Sequence, residues 1–184
     1  MPRRNGQPTL HEVCERRTHD ALKASLEAPF DAIVADALSP SYTEAAAAIN
    51  ALAILAARGR REAVVALRGL LCELDAEAWR LRSVLVLALG TVKTRGVADQ
   101  LVAELRRTKP MKRLHEYLGD VVEALCGFPG ELVRDAIAGL EWDGVVERLP
   151  VACSEKLRGV ARGTRGPFHL PPTENSKAAR DPRP

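Results

Sequence analysis

The sequence predicts an all-α protein, an α-solenoid of about four antiparallel helical hairpins. The first observation is compositional: the 184-residue chain is 46% hydrophobic but only 4% aromatic. That mix favours helices packed closely through small residues. The second observation is that apolar residues recur at helical spacing with a period near 34 residues. Periods of this length are typical of stacked helical hairpins, because a single hairpin cannot bury its own apolar face.

Helices of one kind are marked by leucines that stand 33, 34 and 35 residues apart: Leu38, Leu71, Leu105 and Leu140. The positions four and eight residues before each leucine are also apolar. This spacing places each set on one stripe of a helix, with the marker leucine on that stripe. The pattern therefore predicts four such helices, one of them over residues 61–73.

Helices of a second kind are predicted between them, over residues 44–58, 79–89 and 114–126. Ser41 with Glu44, and Thr9 with Glu12, form capping-box sequences at expected helix starts. Glycines are expected at the chain reversals: Gly59, Gly90 and Gly130. The charge-free run 45–57 has 13 residues, whereas a membrane-spanning helix needs about 20. It is therefore expected to be buried by neighbouring helices, and no contact with a membrane is predicted.

The segment DAEAWRLRSVLVLALG, residues 75–90, resembles the HEAT-like repeat, particularly the short variety of bilin-lyase-type proteins. In that pattern an Asp turn precedes an Arg, here Arg82, and Ala-Leu-Gly follows at 88–90. Residues 62–71 resemble the next helix of the repeat, and the resemblance covers about 30–140. It implies a HEAT-like superhelix whose second helices line a concave surface.

A binding groove is expected on that concave surface, since its small residues with spaced charges suit an incoming helix or extended peptide. The predicted contacts are Asp36, Val65, Arg68, Asp99, Gln100, Arg134 and Asp135. A second interpretation is that the small residues only let adjacent helices approach closely. The two interpretations are compatible.

Charge alternates along the chain behind a net charge of +3. Residues 58–113 hold thirteen basic and six acidic residues, whereas 114–155 hold two and nine. The basic block supports an alternative function, binding of nucleic acid along a ridge with salt-sensitive affinity; some DNA glycosylases are built of HEAT-like repeats. The ridge residues are Arg58, Arg60, Arg61, Arg106, Arg107, Lys109, Lys112 and Arg113. Lys and Arg are also common at helix ends for dipole reasons, and the acidic block can instead meet the basic tail of this or another copy.

Catalytic signatures are not found, and no catalytic residue, metal site or cofactor is predicted. His11, Glu15 and His19 share a helix face, but the outer two lie about 12 Å apart along the axis, too far for one ion. LHEYLG, residues 114–119, resembles one of the four His-Glu pairs that hold the di-iron centre of deoxyhypusine hydroxylase. This chain has two such pairs, His11-Glu12 and His115-Glu116. Whether it is an enzyme stays open, and a binding module is favoured.

The predicted organisation is a disordered N-terminus over 1–8, the solenoid over 9–160, and a flexible basic Pro/Gly-rich tail over 161–184. An apolar island at 167–172 in that tail can dock on the groove or on a partner. The four cysteines are widely spaced and predict core thiols in a cytoplasmic protein. The predicted function is a non-enzymatic protein-binding scaffold, adaptor, or accessory or immunity-type regulatory module. Its oligomeric state is left open.

Overall fold

The protein is described from a computed structural model, which covers residues 10–163, with side chains from residue 16 onward. Within this range the chain forms nine α-helices and no strand, so the all-α prediction is confirmed. The helices are α1 Leu10–Glu27, α2 Phe30–Asp36, α3 Tyr42–Ala57, α4 Arg61–Glu73, α5 Trp79–Gly90, α6 Arg95–Arg107, α7 His115–Cys126, α8 Gly130–Trp142 and α9 Val151–Ala161. Three single 3-10 turns lie at Ala76–Ala78, Lys112–Leu114 and Val146–Arg148. The predicted segment 1–8 and the tail residues 164–184 lie outside the described residues.

The odd-numbered helices form one row, in which α1, α3, α5, α7 and α9 each contact the next. The even-numbered helices contact members of that row: α2 contacts α3, α4 contacts α3 and α5, α6 contacts α5 and α7, and α8 contacts α9. Helices α6 and α8 also contact each other. Helix α3, which contains the charge-free run 45–57, packs against α1, α2, α4 and α5. These contacts bury five of its alanines: Ala45, Ala47, Ala48, Ala51 and Ala56. Among residues 10–163 no helix combines the length and the apolar run that crossing a bilayer requires.

The marker leucines lie in the core as predicted, with one exception. Leu71, Leu105 and Leu140 are fully buried, but Leu38 lies beyond the end of α2 and is 47% exposed. Ala37 takes the inward position instead, 34 residues before Leu71. The prediction for Leu38 was wrong because α2 has only seven residues, too few for its apolar pattern to establish a register.

Two of the three glycines do not serve as chain reversals. Gly59 has a φ of +88°, as a turn after α3 requires. Gly90 instead ends α5 in a close contact with α7, where a Cβ would lie 2.8 Å from Cβ of Ala124. Gly130 is the first residue of α8, directly after Pro129. These two predictions fail because a local breaker signal does not distinguish a turn from a close helix contact or a helix start.

The start of α3 satisfies half of the expected capping box. The Ser41 side chain accepts a hydrogen bond from the backbone N–H of Glu44 at 3.5 Å. The Glu44 carboxylate does not return to the N–H of Ser41; it accepts from the hydroxyl of Ser39 at 2.8 Å. That hydroxyl oxygen in turn accepts the Ser41 N–H at 3.2 Å. The second predicted box, at Thr9, lies outside the described residues.

The cysteines differ in burial, so the prediction of core thiols holds only in part. Cys153 is buried, and burial raises the pKa of its thiol. Cys126 is half-buried in α7. Cys72 is exposed at the end of α4, because it follows Leu71 on the helix and points away from the buried stripe.

Candidate functional site

An open groove lies between α4 and α6 and encloses about 710 Å³. Its lining is Val65, Arg68, Gly69, Cys72, Gly96, Asp99, Gln100, Ala103 and Arg107. Four of the sequence-predicted contacts, Val65, Arg68, Asp99 and Gln100, therefore come together. The other three predicted contacts lie elsewhere on the surface: Asp36 is exposed at the end of α2, and Arg134 and Asp135 are exposed on α8. None of the three lines this groove or either of the two neighbouring spaces described below. We call this site the α4–α6 groove.

Two reciprocal hydrogen bonds hold the polar floor of the α4–α6 groove. Nε of Arg68 donates to Oε1 of Gln100 at 2.8 Å. Nε2 of Gln100 donates back to the carbonyl oxygen of Arg68 at 3.0 Å. Gly96 packs beside this pair, where a Cβ would make only an ordinary contact, 3.5 Å from Nη1 of Arg68. Both side chains are thus positioned before any ligand arrives.

An apolar hollow of about 640 Å³ adjoins the groove between α2 and α4. It is lined by Phe30, Asp31, Val34, Ala35, Leu38, Arg61, Glu62, Val65 and Ala66. Val65 belongs to both the hollow and the groove, and it is 70% exposed. Leu38, which was wrongly predicted to lie in the core, presents its side chain here. The hollow therefore offers exposed apolar contacts on either side.

A third cavity, of about 410 Å³, lies at the other end of the groove, under the C-terminal end of α6. It is lined by Cys72, Leu74, Ala76, Arg82, Glu104, Arg107, Thr108, Lys109, Met111, Leu114 and Tyr117. Cys72 and Arg107 also line the groove, so the two spaces adjoin. We call this space the α6-end cavity; it was not predicted from the sequence.

A buried ionic cluster forms the base of the α6-end cavity. Nη2 of Arg82 and the hydroxyl of Tyr117 both donate hydrogen bonds to Oε1 of Glu104. Nη1 of Arg82 donates to the carbonyl oxygens of Leu71, at 3.1 Å, and Leu74, at 2.6 Å. This cluster ties α5, α6 and α7 to the end of α4. The available sequence signal was an acidic residue on the otherwise apolar stripe of α6.

The cluster shifts the ionisation of its members. Burial lowers the pKa of Arg82, but the hydrogen bond to Glu104 and the surrounding charges outweigh burial and hold that pKa above its usual value. Burial raises the pKa of Tyr117, and the hydrogen bond to Glu104 raises it further. Arg82 is therefore cationic and Tyr117 neutral at physiological pH.

Half of the predicted basic ridge is engaged in ion pairs. Arg106 pairs with Asp143 at 2.9 Å, and Arg113 pairs with Glu77 at 2.8 Å. Arg107 contacts the Glu104 carboxylate, and Arg60 lies 4.0 Å from that of Glu62. The remaining ridge residues are exposed: Arg58, Arg61, Lys109 and Lys112. The eight residues therefore do not form a ridge of uncompensated positive charge.

Metal-ligand chemistry is not assembled in the described part of the chain. Among the described residues no group of three or more His, Cys, Asp or Glu side chains is placed to hold a metal ion. His115 and Glu116 are exposed at the start of α7. The side chains of His11, Glu12 and Glu15 lie outside the described residues.

Comparison with known proteins adds no guide to the site. Neither a protein-family model, nor a curated protein, nor a solved structure matches the chain. The site consists of an apolar hollow between α2 and α4, a hydrogen-bonded polar groove between α4 and α6, and a cavity with a charged base at the C-terminal ends of α4 and α6.

Proposed function

We propose that this chain is a HEAT-like α-solenoid of about four antiparallel hairpins that binds another protein in the α4–α6 groove. The ligand would be a helix or an extended segment. One observation carries the proposal: four residues selected as groove contacts from sequence register line one open space, with Val65 exposed at its edge. The succession of helix contacts along the odd-numbered row supports the solenoid. The protein would then act as a scaffold, an adaptor, or an accessory or immunity-type regulator.

Energetic considerations favour a protein ligand at this position. Burial of an exposed valine side chain contributes about 1.5–3 kcal/mol, and Val65 is the most exposed apolar residue of the groove and hollow. The Arg68–Gln100 pair is already ordered by its own hydrogen bonds. A ligand that hydrogen-bonds to it loses little side-chain entropy on binding. An exposed apolar side chain beside ordered polar groups offers both the apolar contact and the hydrogen bonds that a bound helix or extended peptide uses.

A nucleic acid is a poorer fit to the same surface. Its affinity would come from cations that neutralise phosphates, yet half of the basic ridge already pairs with carboxylates. The groove and hollow also carry three carboxylates, on Asp31, Glu62 and Asp99, which balance the guanidiniums of Arg61, Arg68 and Arg107. No net positive charge is left there to attract a phosphate backbone. The surface supports a protein ligand of mixed charge.

The test is capture of a partner from the native host lysate with the full chain as bait, after nuclease treatment and at moderate salt. We expect one defined protein to be retained by the unmodified chain and lost with Val65→Glu, since the charge would be placed in an apolar contact. Val151→Glu is the matched control, because Val151 is also highly exposed but lies at the start of α9.

Equal loss, or equal retention, with both variants would show that the α4–α6 groove is not the site. Recovery of nucleic acid alone, released when the salt is raised, would instead assign function to the basic residues.

A further inference from the structure

The charge of the binding surface changes steadily from one end to the other. The α2–α4 hollow carries two carboxylates and one guanidinium, a formal charge of −1. The α4–α6 groove carries two guanidiniums and one carboxylate, or +1, and the α6-end cavity carries three cations and one carboxylate, or +2; these two counts share Arg107. Exposed apolar side chains lie at both ends, Leu38 and Val65 at the hollow and Met111 at the α6-end cavity. Because its two ends differ in charge, the surface can distinguish the two orientations of a bound segment.

Two cations at the α6-end cavity can contact a ligand: Lys109, and Arg107 through the donors that its pair with Glu104 does not use. Arg82 is buried, and its Nη1 and Nη2 atoms already donate hydrogen bonds to two carbonyl oxygens and to Glu104. Arg107 is half-exposed, and within the described residues its contacts to Glu104 and to the carbonyl oxygen of Leu71 go through Nη2. Its Nε and Nη1 are left as donors. Lys109 is exposed beside it and forms no ion pair with a described residue.

Glu104 positions the Arg107 side chain but leaves its Nε and Nη1 donors free to bind a ligand. Its Oε2 atom is buried and accepts no hydrogen bond in the described structure, although the Arg107 guanidinium contacts it. The Glu104 carboxylate is already shared with Arg82 and Tyr117. The cavity thus has a surplus of positive charge that this one carboxylate cannot neutralise.

The walls of the α6-end cavity are apolar above its charged base. Leu74, Met111 and Leu114 supply them, and Met111 is itself exposed. A free phosphate or a strongly hydrated anion gains nothing from such walls. A carboxylate carried on a short methylene chain gains from both, because its chain contacts the apolar walls while its oxygens reach the cations.

We propose that the α6-end cavity receives an Asp or Glu side chain of the bound segment, which thereby lies in one direction along the surface. An apolar side chain of the same segment contacts Val65 and Leu38 in the hollow. This inference rests on the proposed function. The hollow lies beside the start of α4, near residue 63, and the cavity beyond its end, near residue 73, about 15 Å along the helix axis. With one helix spacing of about 8–10 Å across it, the two are separated by about 18 Å. An extended segment spans this with about six residues.

The experiment is selection from a phage-displayed library of random dodecapeptides against the full chain. Selected peptides are then measured for affinity against the unmodified chain, Val65→Glu, Lys109→Glu and Lys23→Glu. Lys23→Glu changes the net charge equally but lies on α1, which packs on α3 and not on α6. We expect peptides whose binding requires Val65 to carry an acidic residue about six positions from an apolar one. Lys109→Glu is expected to weaken them about tenfold, with Lys23→Glu unchanged.

Two results would overturn the inference in different ways. The first result is that peptides requiring Val65 are no more acidic than the starting library, or that they lose affinity equally with Lys109→Glu and Lys23→Glu. Either finding would refute the carboxylate site and leave the proposed function intact. Failure to select any peptide that requires Val65 would refute both. Lys109 is exposed at the helix end, so its substitution does not disturb folding; thermal unfolding of each variant verifies this.

Discussion

Arg82 in α5 donates a hydrogen bond from Nη2 to Oε1 of Glu104 in α6, and the two side chains are only 7% and 2% exposed. Tyr117 in α7 donates to the same oxygen. A carboxylate, a guanidinium and a phenol from three successive helices thus meet in the interior. Each buried charge depends on the others, because an unpaired ion in this environment is strongly unfavourable.

Glu104→Gln should therefore lower the free energy of unfolding by about 3–5 kcal/mol. The substitution keeps the shape of the side chain but leaves the Arg82 charge without its counter-ion. Urea unfolding monitored by circular dichroism measures the loss. Arg106→Gln is the control, since it breaks an exposed pair with Asp143 whose side chains are 48% and 44% exposed; it should cost less than about 1 kcal/mol. Similar losses for the two variants would contradict the role assigned to burial.

Gly90→Ala should destabilise the protein by about 1–3 kcal/mol through overpacking. The new Cβ would lie 2.8 Å from Cβ and 3.0 Å from Cα of Ala124, and the backbone atom cannot move without shifting α7. Gly69→Ala is the matched control within α4, where no atom lies within 4 Å of the added Cβ. That change should stabilise by about 0.5–1 kcal/mol, because alanine is the better helix former. A neutral or stabilising Gly90→Ala would show that α5 and α7 are not in close contact there.

Gly59→Ala should cost about 1–2 kcal/mol for a different reason. Its φ of +88° is unfavourable for any residue with a Cβ, although no atom lies within 4 Å of the site. Because the penalty is one of backbone conformation, Gly59→Asn should be milder than Gly59→Ala, since asparagine tolerates positive φ better. Equal melting temperatures for the two variants would argue against a strained turn.

The tyrosine in the cluster predicts a loss of stability at alkaline pH. Burial and the hydrogen bond to Glu104 raise the pKa of Tyr117 above the 10.0 of an unperturbed tyrosine. Its contribution to stability is therefore complete below pH 10 and falls as the pH rises through the folded-state pKa. Each pH unit in that window costs up to about 1.4 kcal/mol. Unfolding free energies measured from about pH 8 to 11 should fall more steeply for the unmodified chain than for Tyr117→Phe.

An optical control separates this effect from other alkaline titrations. The chain contains one other tyrosine, Tyr42. If Tyr117 stays neutral in the folded protein, the absorbance change at 295 nm between neutral and about pH 11 should be the same for the native protein and native Tyr117→Phe. A smaller change in the variant would show that Tyr117 ionises in the folded state, and equal slopes in the unfolding data would lead to the same conclusion.

Helix positions followed from local patterns, and most predicted bounds lie within two residues of those observed. The segment 61–73 coincides with α4, and 44–58 corresponds to Tyr42–Ala57. The groove residues Val65, Arg68, Asp99 and Gln100 followed from their register on α4 and α6. The predicted register was wrong on α2. There a shift of one residue, about 100° of helix rotation, exchanges Ala37 for Leu38 on the buried face. A helix of two turns carries too few apolar residues to exclude that shift.

The sequence by itself determined that the described chain is helical, where its longer helices lie, and which of their faces are apolar, because periodicity is a property of residues within a few positions of each other. Only the tertiary structure decided that Glu104 is buried, that Gly90 contacts Ala124, and that the α6-end cavity exists. Glu104 lies 22 residues from Arg82 and 13 from Tyr117. The environment of such a charge, or of a missing Cβ, is set by side chains from other helices, and their positions are known only once those helices are packed together.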